Sequence, residues 1–467
     1  MARRVHFIGV CGTAMGTLAA MLKRRGDDVR GSDAHVYPPM SDVLRAEGIT
    51  LLDGYDEAHV TGEIDVVVVG NAISRGNPEL EAVLDRSIRY VSLPEMIRET
   101  FLWDRDAVVV AGTHGKTTTT ALTGWVLTAA GADPSVLIGG VARNFGEPDG
   151  GSYRLGQGRP FVIEGDEYDS AYFDKTAKFL KYLPHIAVVN NVEFDHADIY
   201  ADFAAVRQAF ERLVRLVPRR GLVLLGADSP AAAALAPHAL SRLQTFGLAD
   251  GATWQAVHLE HGPAGTRFLV RGPDGVAGSV DVPLAGAHNV RNTLAAIAVA
   301  HDLGIGLDAV AGALRAFRGV KRRLDVVGER RGVTVYDDFA HHPTAVAETI
   351  AALRAARPGH RLWAVFEPRS ASSCRRVFQD DFARALAGAD QVVLAPVFRE
   401  TLPEAERLSV PALVEALTAD GVAARTLPTV EAIVAAVAAE ARQGDDILVM
   451  SNGGFGGIHG QLLEALR

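Results

Sequence analysis

Short apolar runs, each the length of one strand, alternate along this chain with segments whose apolar positions recur at helical spacing. That alternation predicts parallel sheets covered by helices, because a parallel strand is reached only through a crossover connection. Three blocks follow one another. The first runs from Val5 to about Arg105. Its strand Val5–Gly9 leads through a glycine turn into a helix ending at Arg24, and Val29–Ser32 and Ile64–Val69 are further strands. The second block opens with strand Ala107–Ala111, continues through helix Thr117–Ala130 and strands Ile186–Asn190 and Leu222–Leu225, and closes near Val320. Between Gly251 and Leu284, glycine-rich turns separate short alternating segments, which predicts a local antiparallel insertion. The third block, from Lys321, holds strands Thr334–Tyr336, Leu362–Phe366, Gln391–Ala395 and Ile447–Ser451. The sequence contains neither an internal repeat nor a Pro/Ser-rich linker, so the division 1–105, 106–320 and 321–467 rests on topology.

Composition changes this picture little. A length of 467 residues fits three domains at about 150 residues each. The net charge of −9 argues against a nucleic-acid partner, which calls for a basic balance or stripe. It leaves room for an anionic small substrate, since a few lysines, arginines and backbone amides hold phosphate. Two cysteines, Cys11 and Cys374, exclude a disulfide scaffold and fit a reducing compartment. Arg3-Arg4 before an apolar run to Met21 imitates a signal peptide. Gly9, Gly12 and Gly16 punctuate that run and no cleavage site follows it, so a cytoplasmic protein without a membrane span is expected.

The sharpest motif is Gly112-Thr113-His114-Gly115-Lys116-Thr117, set between strand Ala107–Ala111 and the helix after it. A loop of this kind turns consecutive N–H groups toward phosphates at a positive helix N-terminus. Lys116 is placed to reach the β- and γ-phosphates, and the Thr117 hydroxyl to ligate Mg²⁺. The loop is two residues shorter than the common G-x-x-x-x-G-K-[ST] form. Further on, the buried strand Phe161–Ile163 ends in Glu164-Gly165-Asp166-Glu167, where a hard cation would find oxygen ligands; a solvated acidic turn fits these four residues equally well. Strand Ile186–Asn190 runs into Glu193-Phe194-Asp195-His196, a candidate metal or phosphate site.

The N-terminal glycines Gly9, Gly12 and Gly16, with Asp33 at the end of the next strand, bring backbone and helix dipole to a diphosphate. Their spacing is not the G-x-G-x-x-G dinucleotide fingerprint, so NAD, a nucleotide sugar and a purely structural turn all fit. In the third block, Asp337-Asp338-Phe339-Ala340-His341-His342-Pro343 sits at a strand end. Four glycines in Gly453-Gly454-Phe455-Gly456-Gly457, after Ser451-Asn452, suggest close backbone approach to a ligand.

Taken in order, GTHGKTTT, EGDEYDS, EFDH, HNVRN, KRRLD and DDFAHHP resemble the Mur ligases over essentially the whole chain. The resemblance implies three α/β domains: a Rossmann-like N-terminal domain that binds a UDP-sugar, a central P-loop ATPase domain with a mainly parallel sheet, and a Rossmann-like C-terminal domain that binds the peptide. It implies ATP and Mg²⁺ as cofactors. Gly112, Thr113, His114, Gly115, Lys116, Thr117 and Thr118 would cradle ATP, with Asn289 and Asn292 contacting it. Thr117 and Glu164 would hold one Mg²⁺, and His196 would help hold a second. Arg323 and Asp338 would complete the site on domain closure, making Lys116, Glu164, His196, Arg323 and Asp338 the catalytic set. Gly12, Thr13, Ala14, Met15, Asp33 and the turn Asn71-Ala72-Ile73-Ser74 would face the nucleotide sugar. Several members carry a carbamylated lysine some fourteen residues after the DH histidine; that position here is Phe210, so the ligand is missing.

The stretches HVYPPMSDVL, FVIEGDEYDSAYFD and ILVMSNGGFGGIHGQLLEAL resemble the branch that joins UDP-N-acetylmuramate to the recycled murein tripeptide L-alanyl-γ-D-glutamyl-meso-diaminopimelate. The segment Phe366-Glu367-Pro368-Arg369-Ser370 fits that branch too, although Ala371 replaces the asparagine expected there. Arg369, Asn452, Gly453 and Gly454 would bind the peptide. The nearest alternative is the branch that adds L-alanine to the same donor. Both imply the same chemistry: a carboxylate has a poor leaving group, so ATP converts it to an acyl phosphate, the amine displaces phosphate, and ADP is released. Each step concentrates negative charge, so the protein supplies positioning and electrostatics. The pair His341-His342 is a candidate base for the incoming ammonium.

Overall fold

The computed structural model describes residues 2–36, 40–146, 150–399 and 402–467. By contact the chain gathers into two compact units. One holds the chain up to Val141 together with Phe145–Val192 and Arg207–Thr245; the other holds Ala142–Asn144, Glu193–Val206 and Phe246–Arg467.

In the first unit, strands β1 (Arg4–Ile8), β2 (Asp28–Asp33), β3 (Thr50–Asp53), β4 (Val66–Val69) and β5 (Tyr90–Ser92) form a parallel sheet in the order β3-β2-β1-β4-β5. The order reverses between β1 and β4, and in open parallel sheets ligands bind at the carboxyl ends of the strands flanking such a switch point. The turns after β1 (Gly9–Gly12) and after β4 (Gly70–Ser74) lie there. β4 begins two residues later than its apolar run suggested: Asp65 donates its N–H to the Arg4 carbonyl outside the ladder, and Val66–Val69 are fully buried.

The same unit holds β6 (Asp106–Ala111), β7 (Ser135–Ala142), β8 (Gly151–Arg154), β9 (Pro160–Glu164), the antiparallel hairpin β10 (Asp169–Ala171) and β11 (Asp174–Ala177), β12 (Ile186–Val189) and β13 (Leu222–Gly226). Six of these form a sheet in the order β13-β12-β6-β9-β7-β8. β13, β12, β6, β9 and β7 run parallel, which puts the carboxyl ends of β6, β9 and β12 side by side at one edge.

In the second unit, the end of β14 (Arg242–Gly247) pairs with β15 (Trp254–Gly262), followed by β16 (Gly265–Arg271) and β17 (Ala277–Val282). β15, β16 and β17 are antiparallel, the insertion that the glycine-rich turns predict. The C-terminal sheet contains β18 (Asp325–Arg330), β19 (Val333–Asp338), β20 (Arg361–Phe366), β21 (Gln391–Leu394), β22 (Ala423–Thr426) and β23 (Asp445–Met450) in the order β18-β19-β23-β20-β21-β22. All pairs are parallel except β18 with β19. Alternate residues of its central strands feed two cores, one around Phe366 and Phe382, the other around Trp363 and Ile447.

One polar cluster is buried within the N-terminal sheet. The Glu79 carboxylate accepts from Ser32 Oγ (2.5 Å) and pairs with His6 Nε2 (2.9 Å) and His59 Nδ1 (2.6 Å); Glu79, His6 and Ser32 are fully buried. Three hydrogen-bonding partners hold its carboxyl below the usual range against the opposing effect of burial. Glu79→Ala strands all three partners. It should cost about 3–5 kcal/mol, the scale for breaking a buried pair. A chemical-denaturation midpoint equal to that of the wild type would contradict this.

Candidate active site

The phosphate loop occupies the edge where β6, β9 and β12 end. Gly112 (φ +131°) and Gly115 (φ +80°) take backbone conformations that side chains disfavour, and a Cβ on Gly112 would press on Asn190 at 3.0 Å. The helix Lys116–Ala129 starts without a side-chain cap, which leaves its positive end toward the loop. The segment after β12 clamps the loop from the side. Asn191 accepts from the N–H groups of His114 (Oδ1, 2.7 Å) and Thr113 (backbone O, 3.1 Å), while Asn190 Nδ2 donates to Thr119 Oγ1 (3.1 Å) and the His114 carbonyl (3.2 Å). Thr118 is buried in the first turn.

Lys116 folds back over its own loop. Its ammonium donates to the carbonyls of Gly112 (2.7 Å) and Thr113 (3.1 Å) and pairs with the buried Glu167 carboxylate at 2.8 Å. Burial alone would lower its pKa, but Glu167, Asp166 and Glu164 outweigh burial and hold it above the usual lysine value. The three carboxylates are divided among different partners. Thr117 Oγ1 donates to Glu164 Oε1 (3.0 Å), and Lys178 takes Asp166 (2.6 Å) and, against the cost of its burial, holds its pKa down to about 2. Glu164 also accepts the Gly139 N–H at 2.7 Å, an approach that a Cβ on residue 139 would block. The acidic segment is therefore packed against the glycine loop and its helix and is not a solvated turn.

At the switch point of the N-terminal sheet, Asp33 Oδ2 accepts the Cys11 N–H at 2.8 Å and so holds the first glycine turn. Gly12, Thr13 and Ala14 open the helix Thr13–Arg25 from exposed or half-exposed positions. Met15 and Ile73 are buried beneath the turns, next to Gly70 and Gly9 respectively, while Ser74 is exposed. Asn71 donates to Asp169 Oδ1 (2.8 Å) on hairpin β10–β11, and Lys175 takes the other oxygen (2.6 Å). Of the stretch HVYPPMSDVL, Tyr37, Pro38 and Pro39 lie outside the described residues.

In the second unit, His196 adopts a left-handed backbone (φ +53°), and its N–H donates to Asp195 Oδ1 (2.7 Å) and Ser372 Oγ (3.1 Å). The Ser372 hydroxyl donates in turn to the buried Asp195 carboxylate, and His341 Nε2 lies 3.9 Å from it. Burial would raise the pKa of Asp195, but His196, His341 and His342 outweigh it and hold the carboxyl well below its usual range. His342 is buried against Phe378 with its Nε2 on the Phe194 carbonyl (3.2 Å). These bonds explain why residues 193–206 group with the C-terminal part of the chain.

Asn289 and Asn292 are buried on helix Ala287–Asp302, with Asn292 Nδ2 donating to Asn289 Oδ1 (3.2 Å). The Asp338 carboxylate accepts the N–H groups of Leu324 (2.6 Å) and Ala340 (2.8 Å), so it fixes the backbone on either side of its own strand end. Burial pushes its carboxyl above the usual range despite Arg323 and those two N–H donors. The guanidinium groups of Arg322 and Arg323 each lie 5.0 Å from the Phe339 ring, and Arg322 also donates to the Ser451 (2.6 Å) and Gly453 (2.7 Å) carbonyls. Arg369 stacks 3.7 Å over Phe398 and packs so closely on Gly453 that a Cβ there would collide with its guanidinium. Asn452 Oδ1 is buried and has no hydrogen-bond partner among the described residues, and Gly454 is open on its Cα side.

Family models match three successive segments: the Mur ligase family, catalytic domain over residues 4–102, the Mur ligase middle domain over 110–300, and the Mur ligase, glutamate ligase domain over 322–453. The chain belongs to the Mur ligase family. It is an ATP-dependent, amide-bond-forming ligase of α/β fold. The UDP-N-acetylmuramate–L-alanyl-γ-D-glutamyl-meso-2,6-diaminoheptandioate ligase of Escherichia coli K12 is 42% identical over 470 residues, spanning 99% of this chain and 98% of that protein. The UDP-N-acetylmuramate–L-alanine ligase of Kineococcus radiotolerans is 40% identical over 478 residues, 99% of this chain and 96% of that one. Among solved structures, the murein peptide ligase of Psychrobacter arcticus 273-4 superposes with a TM-score of 0.73 at 36% identity, covering 100% of this chain and 99% of that one.

In this Mur ligase the fourteenth residue after His196, Phe210, is a fully buried core side chain whose ring lies 5.2 Å from that of Phe179. Sequence reasoning missed the partners that hold the site: Asn190 and Asn191 on the loop, Glu167 on Lys116, Asp169 on Asn71 and Ser372 on Asp195. Only the doubled asparagine at the end of a buried strand carried a signal, since a strand end facing a phosphate loop needs polar side chains to satisfy loop N–H groups.

Lys116→Ala should lower ATP-dependent turnover by about 10²–10³ or more, with an unchanged circular-dichroism spectrum. Full turnover in a folded variant would remove Lys116 from the site.

His288 supplies a pH test. Burial, with Arg291 and Arg323 beside it, pushes its imidazole down to about 3 from the ordinary 6.5. The unfolded chain binds this proton first, so stability is complete above pH 6.5 and falls as pH drops toward 3. At pH 5 the loss is about 2 kcal/mol. Between pH 7 and pH 5, His288→Gln should lose less of its denaturation midpoint than the wild type; equal losses would contradict a neutral buried imidazole.

Proposed function

We propose that this Mur ligase joins UDP-N-acetylmuramate to the tripeptide L-alanyl-γ-D-glutamyl-meso-diaminopimelate, with ATP converted to ADP and phosphate, in murein recycling. The observation that carries the acceptor assignment is Arg369, a guanidinium braced on Phe398 directly beside the glycine loop. A tripeptide presents carboxylates on its glutamyl and diaminopimelyl residues, and these call for a fixed cation and backbone donors. An acceptor of alanine alone needs only a small closed pocket. The 42% identity to the Escherichia coli ligase over the whole chain supports the same reading.

The three family segments support domains at 1–105 for the UDP-sugar, 106–320 for ATP and 321–467 for the peptide. Gly12 to Met15, Asp33 and Asn71 to Ser74 serve the UDP-sugar. Gly112 to Thr118, Asn289, Asn292, Arg323 and Asp338 serve ATP, Asp338 by holding the Arg323 turn. Hydroxyl and carboxylate oxygens are the donors that Mg²⁺ prefers, and the Thr117–Glu164 pair offers both, with His196 toward a second ion. Bound there, Mg²⁺ would neutralise phosphate charge. Lys116 would exchange its carbonyl contacts for phosphate oxygens, keeping Glu167 as its anchor. His341 is the better-placed base for the incoming ammonium: it is only half-buried, with Nε2 3.9 Å from the Asp195 carboxylate, whereas His342 is enclosed. No described helix is long and apolar enough to cross a membrane; a reaction that consumes ATP and a nucleotide sugar fits the cytoplasm.

The test is ATP- and UDP-N-acetylmuramate-dependent ligation with the tripeptide and with free L-alanine. The tripeptide should give the higher kcat/KM, and Arg369→Ala should raise its KM about tenfold or more with the UDP-N-acetylmuramate KM nearly unchanged. A kcat/KM for L-alanine at or above that of the tripeptide would establish the second reading, the alanine ligase, which the Kineococcus relative supports.

A further inference from the structure

A cleft of about 360 Å³ opens in the second unit beside the Asp195-His196 turn, and none of the roles above uses it. Phe194, Ala197 and Tyr200 line it together with Arg375, Arg376 and Glu406. Phe194 is fixed in place by stacking on Phe378, ring centres 6.3 Å apart. Arg375 reaches Glu406 with Nη1 at 3.2 Å, while its Nε is buried with no hydrogen-bond partner among the described residues. Arg376 is exposed and makes no ion pair among the described residues. Two guanidinium groups thus line a cleft that holds one carboxylate, and that carboxylate is engaged by Arg375. Arg376 is left for a carboxylate that a ligand would bring.

The cleft therefore suits a ligand with a carboxylate for the arginines, an ammonium for Glu406 and a short apolar stem for the Phe194–Ala197 wall. Resting on the tripeptide reading, we propose that it binds the free amino-acid end of the acceptor's diaminopimelyl residue. That end carries an ammonium and a carboxylate on one carbon at the tip of a methylene chain. The carboxylate pairs with the guanidinium groups of Arg376 and Arg375, the ammonium with Glu406, and the methylenes lie on Phe194 and Ala197. Lysine at the same position has the chain and the ammonium but no carboxylate. Arg375 and Arg376 then set the preference for diaminopimelate over lysine, separately from Arg369.

The experiment compares kcat/KM for the diaminopimelate tripeptide with that for its L-lysine counterpart. In the wild type the ratio should favour diaminopimelate. Arg376→Ala, a change at an exposed position, should lower the ratio about tenfold or more, the scale of a lost hydrogen bond to a charged group, mainly through KM. Glu406→Gln should raise both KM values by similar factors, because both acceptors carry the ammonium. A wild-type ratio near one, or a ratio that Arg376→Ala leaves unchanged, overturns the cleft assignment and leaves the tripeptide reading standing. A wild type that uses L-alanine and neither tripeptide overturns that reading and the cleft assignment with it.

Discussion

A buried ammonium decides how the phosphate site is built. Lys116 must be charged to serve a polyphosphate, and removing that charge from water is costly unless opposite charge lies beside it. The chain solves this with the four residues after β9. Glu164, Asp166 and Glu167 leave one strand end toward three partners, Thr117, Lys178 and Lys116. Because Lys178 neutralises Asp166, the segment does not trap Lys116 with more negative charge than it needs. Glu164 remains on the Thr117 hydroxyl that begins the helix, the pair that under the proposed function would offer oxygen ligands to a divalent cation.

That arrangement depends on sheet order. The loop follows β6, the acidic segment follows β9 and the asparagine clamp follows β12, and these three strands are neighbours running the same way. Parallel pairing brings all three carboxyl ends to one edge, so residues 77 apart in sequence meet without any long excursion of the chain. Glycine is needed where backbones approach. Gly139 admits the Glu164 carboxylate, and Gly112 admits Asn190. The geometry of the loop follows from this strand order, of which apolar patterning predicts the parallel sheet but not the sequence of neighbours.

The strands and helices named from the apolar pattern lie within one or two residues of those observed, because burial imposes a period on them. Edge strands such as β3, β5, β18 and β22 were not named. The phosphate loop was legible because strand, glycine, lysine and helix are contiguous. The residues that hold the loop were not. Asn191, Glu167 and Asp169 act through single hydrogen bonds to partners 77, 51 and 98 positions away, and such bonds leave no periodic trace. Phe210 shows the opposite case. Its substitution for the metal-bridging lysine of other members was visible from spacing, and its full burial against Phe179 fits an apolar side chain and would exclude a charged one.

Arg322 and Arg323 show where composition stops being informative. The two are adjacent and their guanidinium groups lie at equal distance from the Phe339 ring. Arg322, at a left-handed backbone position, fastens the Ser451 and Gly453 carbonyls and so shapes the glycine loop from below. Arg323 sits beside Asp338, whose carboxylate is committed to the N–H groups of Leu324 and Ala340. Such a carboxylate has few lone pairs left for a ligand, so its effect on chemistry passes through the backbone turn that carries Arg323. The glycine loop and the turn carrying Arg323 are thus held by consecutive residues on one frame. Under the proposed function, peptide selectivity is not read from the ATP motifs but from side chains beyond this turn, at Arg369 and at the Arg375–Arg376 cleft.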